Sequence, residues 1–486
     1  MISGIITTRL LYLGLGDVGY GYWVLLWSIF GYSLLLDFGF GTSVQKYAAE
    51  LLVTKDYKLF NKQISTIIGS YLFMGVIIII LTIFGAYFLT SLFTIEATDA
   101  LYYQQVFFLF GVGSALLFPL GAFAEVLKGI GKLHIRNIVE FAYVTFNLIG
   151  IYLLMGHGYS VLELTLFSLA LNLIRVIFMA GITFYFLPNM QLKPKHFELG
   201  YIKEIISFSF FAYLIMFSNM IIFKTDQILV GAMLGMAPVA IYQVGSRLSY
   251  LLDKFSTQFQ DTLAPVAAKL NHAGETDRLR NIMFQSNRIV TLGTTLLFTI
   301  LIFLAQPILE IWLEVTDHHA ITIGYIMLVS VYLLTIFRSA NSKILLMSGE
   351  HRFLSKVAVI ESIANVVLSI LLIKLYGVIG VAIGTLIPNI ILSLFVIFPA
   401  ASRFSAVSKL LYFEKIFLPT LLIALIPSLI LYLSRMTIEQ WDLLTVMVVA
   451  AGTSLVYLLL AYRFYADEDE RNRIKSLLKK AIKRSS

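Results

Sequence analysis

Long apolar segments of about twenty residues recur from one end of this 486-residue chain to the other. A segment of that length is what an α-helix needs to cross the hydrocarbon core of a bilayer. The apolar residues do not alternate with polar ones along these segments, which excludes the strands of a membrane β-barrel. Only 13% of the residues are charged, against about 25% in an ordinary soluble protein. The sequence therefore predicts an all-α, multi-pass membrane protein.

We predict about fourteen transmembrane helices from the spacing of these segments. Their expected ranges are 2–15, 19–43, 64–90, 102–126, 137–155, 160–187, 205–233, 238–264, 283–309, 320–347, 354–375, 377–398, 416–434 and 441–463.

The basic residues are distributed unevenly between the two sides of this predicted topology. Alternate connections and the C-terminal tail hold 27 Lys and Arg residues, whereas the opposite side holds 2. Because basic loops stay in the cytoplasm, both termini are expected there. This placement also explains the net charge of +8 without a nucleic-acid partner. The tail, 466–486, has apolar residues at helical spacing between its basic ones, which suits either the anionic inner leaflet or water.

Two parts of the chain resemble each other at a distance of about 219 residues. Gly16, in TTRLLYLGLGDVGYGYWVLL, matches Gly235, in KTDQILVGAMLGMAPVAIYQVG, and GIGKLH at 129–134 resembles MSGEHR at 347–352. Because each repeat has an even number of helices, the two repeats have the same orientation in the membrane. Transporters built from such parallel repeats hold their substrate between the two halves. We therefore predict two six-helix repeats around a central cavity, followed by two extra helices. The predicted domains are 1–195, 196–400, 401–465 and the tail at 466–486.

The stretch DFGFGTSVQKYAAELL, 37–52, resembles the second-helix ending of bacterial polysaccharide (O-antigen-type) flippases. These belong to the multidrug/oligosaccharidyl-lipid/polysaccharide exporter superfamily, whose seventh-to-eighth helix connection is similar to TDQILVGAMLGMAPVAIY, 225–242. The resemblance implies a MATE-like fold and no enzymatic activity. It implies transport of a polyprenyl-diphosphate-linked glycan to the outer leaflet by alternating access, for a surface polysaccharide such as the O-antigen of lipopolysaccharide. Membrane lipids, a coupling H⁺ or Na⁺ and a polysaccharide polymerase are the other expected partners.

The eighth predicted helix carries a polar stripe that suits such a cargo. Arg247, Lys254 and Asp261 are seven residues apart and share one face of an apolar helix. Intramembrane charges mark functional positions, and Arg binds phosphate in a fork geometry. The stripe therefore predicts either contact with the diphosphate or structural pairing with another helix.

Other charged residues lie inside predicted helices, and each has two open interpretations. Asp37 is either a cap or ion-pair partner at a helix end, or a gate or protonation site. Lys224 and Asp226 are two residues apart and cannot face the same way. Arg9 either snorkels or is a cavity cation, as the related flippases of lipid-linked peptidoglycan precursors imply. The candidate substrate-binding cations are Arg247, Lys254, Arg9, Lys224, Arg338 and Arg175, and the candidate gating or coupling residues are Asp37, Asp226, Asp261 and Glu140.

Two other functions compete with the flippase. A cation-coupled multidrug exporter of the same superfamily should have an acidic, aromatic pocket, whereas the stripe here is mostly basic. A membrane enzyme of polysaccharide assembly usually needs a large outer loop, and the longest here has about a dozen residues. Without Cys, and with no His at ligand spacing, the sequence predicts no metal site and no cofactor.

Overall fold

The computed structural model describes most residues of the chain, and every regular element among them is a helix. The described residues are 2–93, 95, 98–273, 275–347, 349–405, 408–468, 470–472 and 476. Side chains are described for these residues except 2, 203–210, 212, 259–269, 271–272, 276, 279, 283, 340, 343–344, 347 and 404–405. Most of the tail predicted for 466–486 lies outside the described residues.

The helices follow one another with short connections. The first eight are α1 Ile2–Gly31, α2 Phe40–Thr54, α3 Tyr57–Leu92, α4 Ala100–Leu117, α5 Gly121–Gly129, α6 Leu133–Gly156, α7 Val161–Phe186 and α8 Leu199–Leu234. The next ten are α9 Met236–His272, α10 Thr276–Leu313, α11 His318–Leu334, α12 Ala340–Met347, α13 His351–Tyr376, α14 Val378–Leu392, α15 Phe398–Ser405, α16 Lys409–Tyr412, α17 Leu418–Thr437 and α18 Leu443–Phe464.

In the described part of the chain, twelve helices are long and apolar enough to cross a membrane. The predicted all-α, multi-pass fold is therefore confirmed, and the predicted number of about fourteen helices agrees roughly with it. The difference has two sources. The first two predicted helices are joined in a single apolar span, Ser3–Asp37. The helix α9 is too polar to be among the twelve apolar spans. The charged stripe predicted on the eighth helix lies on α9.

Gly16 makes a sharp turn inside α1 and so separates the first two predicted helices. Its φ is 67° and its ψ is −179°, a conformation that is essentially restricted to glycine. Gly235 adopts almost the same conformation between α8 and α9, with φ 92° and ψ −175°. Two further pairs, 218 and 219 residues apart, also have positive φ: Gly131 with Gly349, and Gly158 with Gly377. The repeat seen in the sequence is thus reproduced in the backbone at three turns.

The chain divides into two compact units. Unit 1 consists of residues 1–243 and 358–381, and unit 2 of residues 244–357 and 382–486. The predicted lobes, 1–195 and 196–400, follow the sequence repeat, whereas the two units are defined by how compactly their residues pack. The lobes therefore stay a prediction.

Within unit 1, the connection from α7 to α8 is fastened along α3. The Asn61 side chain donates to the Asn189 carbonyl at 3.2 Å and accepts from the Gln191 amide at 2.9 Å. Farther along α3, the Thr66 hydroxyl accepts from the Glu198 amide at 3.0 Å. Because buried backbone groups need partners, these side chains supply what water supplies to an ordinary surface loop.

We predict that Gly16→Ala lowers the free energy of unfolding by about 1–3 kcal/mol, the usual cost of a strained backbone conformation. An added Cβ meets nothing within 4 Å at Gly16, so the loss would come from the backbone alone. Gly181→Ala is the matched control, because Gly181 lies inside α7, also with open space around its Cβ position. That change should be neutral or stabilise by roughly 0.5–1 kcal/mol. Thermal unfolding in detergent measures both, and equal effects would contradict the strained turn.

Candidate functional site

The helix that follows the Gly16 turn is broken at Asp37, where the sequence predicted an unusual ending. A 3₁₀ turn, Tyr32–Asp37, leads into Phe38 and Gly39, which both have left-handed backbones with φ of 45° and 85°. The Asp37 carboxylate accepts hydrogen bonds from the Gly41 amide at 3.1 Å and from the Tyr71 hydroxyl. Asp37 therefore satisfies a donor of the first turn of α2, as a cap does. A gating or protonation role for it stays a prediction.

A second carboxylate, which sequence reasoning missed, lies beside this break. A Cβ added to Gly41 would lie 3.5 Å from Asp37 Oδ2 and 3.7 Å from Glu125 Cγ. Glu125 accepts from Gln45 Nε2 at 2.5 Å, and Lys128 Nζ lies 3.7 Å from it. In the sequence, Glu125 is a single acidic residue near the end of an apolar helix. Nothing in that pattern predicts that Glu125 lies beside Asp37.

Two predicted site residues with different expected roles form an ion pair. Arg175 Nη1, on α7, lies 3.0 Å and 2.9 Å from the two carboxylate oxygens of Glu140, on α6. The Arg175 guanidinium also lies 4.6 Å from the centre of the Tyr143 ring. Neither charged side chain is more than a third exposed. Arg175, expected as a cargo cation, and Glu140, expected as a coupling residue, thus neutralise each other.

Lys224 and Asp226 contact different neighbours, as their spacing on α8 predicted. Asp226 is 2% exposed and accepts from the Tyr242 hydroxyl at 2.5 Å. Lys224 is half-buried, and its Cε lies 3.7 Å from the Cβ position of Gly31 on α1. Between them, the Thr225 hydroxyl bonds the Tyr32 hydroxyl at 2.5 Å.

The stripe on α9 lies in unit 2 and is described as far as residue 258. Arg247 and Lys254 are half-buried, and Lys254 Nζ lies 5.2 Å from the centre of the half-exposed Tyr250 ring. The Asp261 side chain, which completes the predicted stripe, lies outside the described residues. The last two candidate cations, Arg9 in α1 and Arg338 in a π-helical turn at Thr335–Ser339, are also half-buried.

A clamp at the end of α18 was not predicted. Arg288, on α10, lies 3.1 Å from Asp467 and 3.2 Å from Glu470, and it donates to the Tyr465 carbonyl. Asp467 and Glu470 also accept from each other's amides at 2.8 Å and 3.1 Å, as in a capping box. Burial raises the pKa of Tyr465 to about 12, and the positive charge of Arg288 opposes that rise. The acidic run 467–470 was the available signal, but it resembles a solvated segment after a last helix.

Among the described residues, no group of three His, Asp or Glu side chains is arranged to hold a metal ion.

Comparison with solved structures defines the class of protein. The fold is similar to a lipid II flippase MurJ in an inward closed conformation, at 18% identity over 96% of each chain, with a TM-score of 0.70. It is also similar to an inward-facing multidrug resistance MATE family transporter of the MOP superfamily. The identity is 16%, the match covers 83% of this chain and 94% of that chain, and the TM-score is 0.70. A third similar structure, a MOP superfamily transporter from Pyrococcus furiosus, has 15% identity over 83% and 92%, with a TM-score of 0.59. The chain therefore has the fold of this transporter superfamily.

The family follows from the sequence. Residues 15–320 match the model of a polysaccharide biosynthesis protein family, and the chain belongs to that family. A search of curated proteins gives no significant match. The polysaccharide-related family and the fold expected from the sequence are thereby confirmed.

We predict that Glu140→Gln and Arg175→Gln are each more destabilising than the two together. Either single change leaves a charge inside the membrane without its counter-ion, whereas the double change removes both charges. The coupling free energy in a double-mutant cycle should be about 1–3 kcal/mol. Thermal unfolding in detergent provides the four values, and additive losses would show that the pair makes no net contribution.

Proposed function

We propose that the protein is a flippase that moves a polyprenyl-diphosphate-linked oligosaccharide from the inner to the outer leaflet by alternating access. The observation that carries this proposal is the family match to polysaccharide biosynthesis, in a chain whose fold is shared with a lipid II flippase. The product would be a surface polysaccharide, for which an O-antigen-type lipid-linked glycan is the proposed cargo.

The physical task explains why such a protein needs a polar interior. Each unpaired hydroxyl costs roughly 4–8 kcal/mol to move from water into hydrocarbon, and an oligosaccharide has many. A hydrated passage removes most of that cost. The diphosphate needs cations along the passage, and guanidinium groups bind phosphate oxygens in pairs.

The half-buried cations of α9 are the best candidates for that contact. Arg247 lies about 16 Å along the helix from its beginning at Met236, at a rise of 1.5 Å per residue. That depth is close to the bilayer midplane, where repeat-built transporters bind their substrates. Lys254 lies two turns farther along and is proposed to receive the anion as it enters. Arg9, Lys224 and Arg338 are proposed to assist, whereas Arg175 is assigned to the ion pair with Glu140.

The orientation and coupling complete the proposal. The distribution of basic residues favours an inner membrane location with both termini in the cytoplasm. With the inside negative, each negative charge that moves outward gains about 2.3 kcal/mol per 100 mV. The membrane potential can then drive the cargo, with Asp37, Asp226 and Asp261 as the proposed gating or H⁺- or Na⁺-coupling groups, whereas Glu140 is assigned to its ion pair with Arg175.

A multidrug exporter is the second candidate, because a MATE family transporter matches the fold with the same TM-score of 0.70. Its cargo is expected to be cationic, and the basic residues at 247 and 254 disfavour such a cargo. No residue constellation in the described part of the chain favours an enzyme.

We predict that Arg247→Ala reduces surface glycan at least tenfold in a bacterial strain that lacks its own flippase. Arg247→Lys should retain partial transport, because it keeps the charge and loses the fork. Arg278→Ala is the control, since Arg278 is exposed and its ion pair with Glu275, at 2.7 Å, lies on the surface. Surface glycan is measured at matched membrane abundance, and full activity of Arg247→Ala combined with Lys254→Ala would contradict the assignment of the stripe.

A further inference from the structure

The described residues of unit 2 contain three π-helical turns, at Thr335–Ser339, Ser393–Ile397 and Phe413–Phe417. Each one lies between two α-helices without interruption: α11 and α12, α14 and α15, and α16 and α17. Fewer than about 1% of residues in globular proteins are π-helical, and single π turns within α-helices often mark functional positions. Three such turns in one unit therefore need an explanation.

The three π turns pack against one another. The ring of Phe337, in the first turn, lies 5.4 Å from Phe398, which directly follows the second, and 5.2 Å from Phe417, in the third. Phe337 is 2% exposed, and the Phe398 ring is a further 4.9 Å from Tyr412. The turns thus form one aromatic layer across three neighbouring helices.

A hydrogen bond joins two of the turns directly. The Tyr412 hydroxyl, immediately before the third turn, donates to the Ile336 carbonyl inside the first. A π turn bonds each carbonyl to the amide five residues on rather than four, so its backbone bonding differs from that of the α-helices on either side. Tyr412 is 3% exposed, and its hydroxyl lies 3.4 Å from Thr291 Oγ1 on α10. The bond therefore ties the segment before the third π turn to the backbone of the first.

The layer separates short helical segments from long ones. On one side are α12, α15 and α16, with 8, 8 and 4 residues. On the other side are α11, α14 and α17, with 17, 15 and 20 residues. The charge distribution places the short segments at the cytoplasmic side. Arg338, a candidate cargo cation, belongs to the first π turn.

We propose that these three π turns form a hinge layer, through which α12, α15 and α16 tilt together and carry Arg338 with them. A π turn contains one residue more than an α turn, so the helix can change its local winding there while the helices on either side persist. The aromatic packing and the bond from Tyr412 make the three turns move as one. One part of the inference rests on the proposed function: the tilting movement is assigned to the opening and closing of the cytoplasmic end of the passage.

Distances between spin labels test the hinge without any cargo. The chain has no cysteine, so labels attach only to introduced ones. Arg403→Cys with Thr437→Cys spans the layer, and Thr316→Cys with Thr437→Cys lies on one side of it; all three positions are exposed. In lipid nanodiscs, we expect two distances for the pair that spans the layer and one narrow distance for the other. A single narrow distance for both pairs would overturn the proposal.

Two tyrosines provide a matched comparison. Tyr412→Phe removes the bond to Ile336 and should change the ratio of the two distances at least threefold. Tyr457 is equally buried in unit 2 and donates to the Leu292 carbonyl at 2.9 Å, so Tyr457→Phe should leave the ratio unchanged. Equal effects of both changes would contradict the hinge.

Deletion of one residue provides a second test of the hinge in case the Tyr412→Phe variant does not fold. Phe395 lies in the second π turn and is 72% exposed, so deleting it should turn that π turn into an α turn at little cost in packing. We expect this deletion to merge the two distances into one, and persistence of both would overturn the hinge. Two distances without glycan transport would leave the hinge intact and refute the flippase instead.

Discussion

The bilayer gives a backbone no water to bond with, and the rest of this structure depends on that constraint. Nearly every described residue of the membrane region is helical because a helix satisfies its own amides and carbonyls. The exceptions are few, and a tyrosine side chain supports two of them. The break at Asp37 is held by Tyr71, and the π turn at Ile336 is held by Tyr412. A tyrosine hydroxyl serves in both places because its ring packs in an apolar core while its oxygen reaches a polar group.

The same constraint applies to charge. Seven Lys or Arg residues lie within predicted helices and belong to neither set of connections counted in the sequence: Arg9, Arg175, Lys224, Arg247, Lys254, Arg288 and Arg338. Arg175 and Arg288 are paired with carboxylates and so fasten helices together, α6 to α7 and α10 to the residues after α18. Breaking such a pair leaves a buried charge, which is why these cations are better understood as scaffold than as cargo ligands. The proposed cargo contact accordingly centres on α9, whose polarity is otherwise a cost to a membrane helix.

The sequence predicted the features that depend on composition and local conformation. The apolar segments located the helices, and the Gly16–Gly235 match located two turns that only glycine adopts readily. The helix α9 was also predicted from the spacing of the apolar segments, although it is not among the twelve spans that length and composition select. Pairing across helices was not predictable, because it depends on how each helix is rotated against its neighbour. Glu140 and Arg175 were therefore assigned separate roles, and Arg288 was not assigned one. The π turns were not predicted either, although Pro399 and Pro419, each two residues after a π turn, were an available signal because proline lacks the backbone donor of a helix.

The central claim is that the protein moves a lipid-linked glycan, and reconstitution tests it most directly. The purified full chain is placed in vesicles that contain a fluorescent polyprenyl-diphosphate-linked oligosaccharide, and an external lectin reports the glycan that reaches the outer leaflet. The account predicts that glycan from the inner leaflet becomes accessible at least tenfold faster than in vesicles without protein, with no movement of a cationic dye. Transport of the dye without acceleration of the glycan would contradict the account and favour a multidrug exporter.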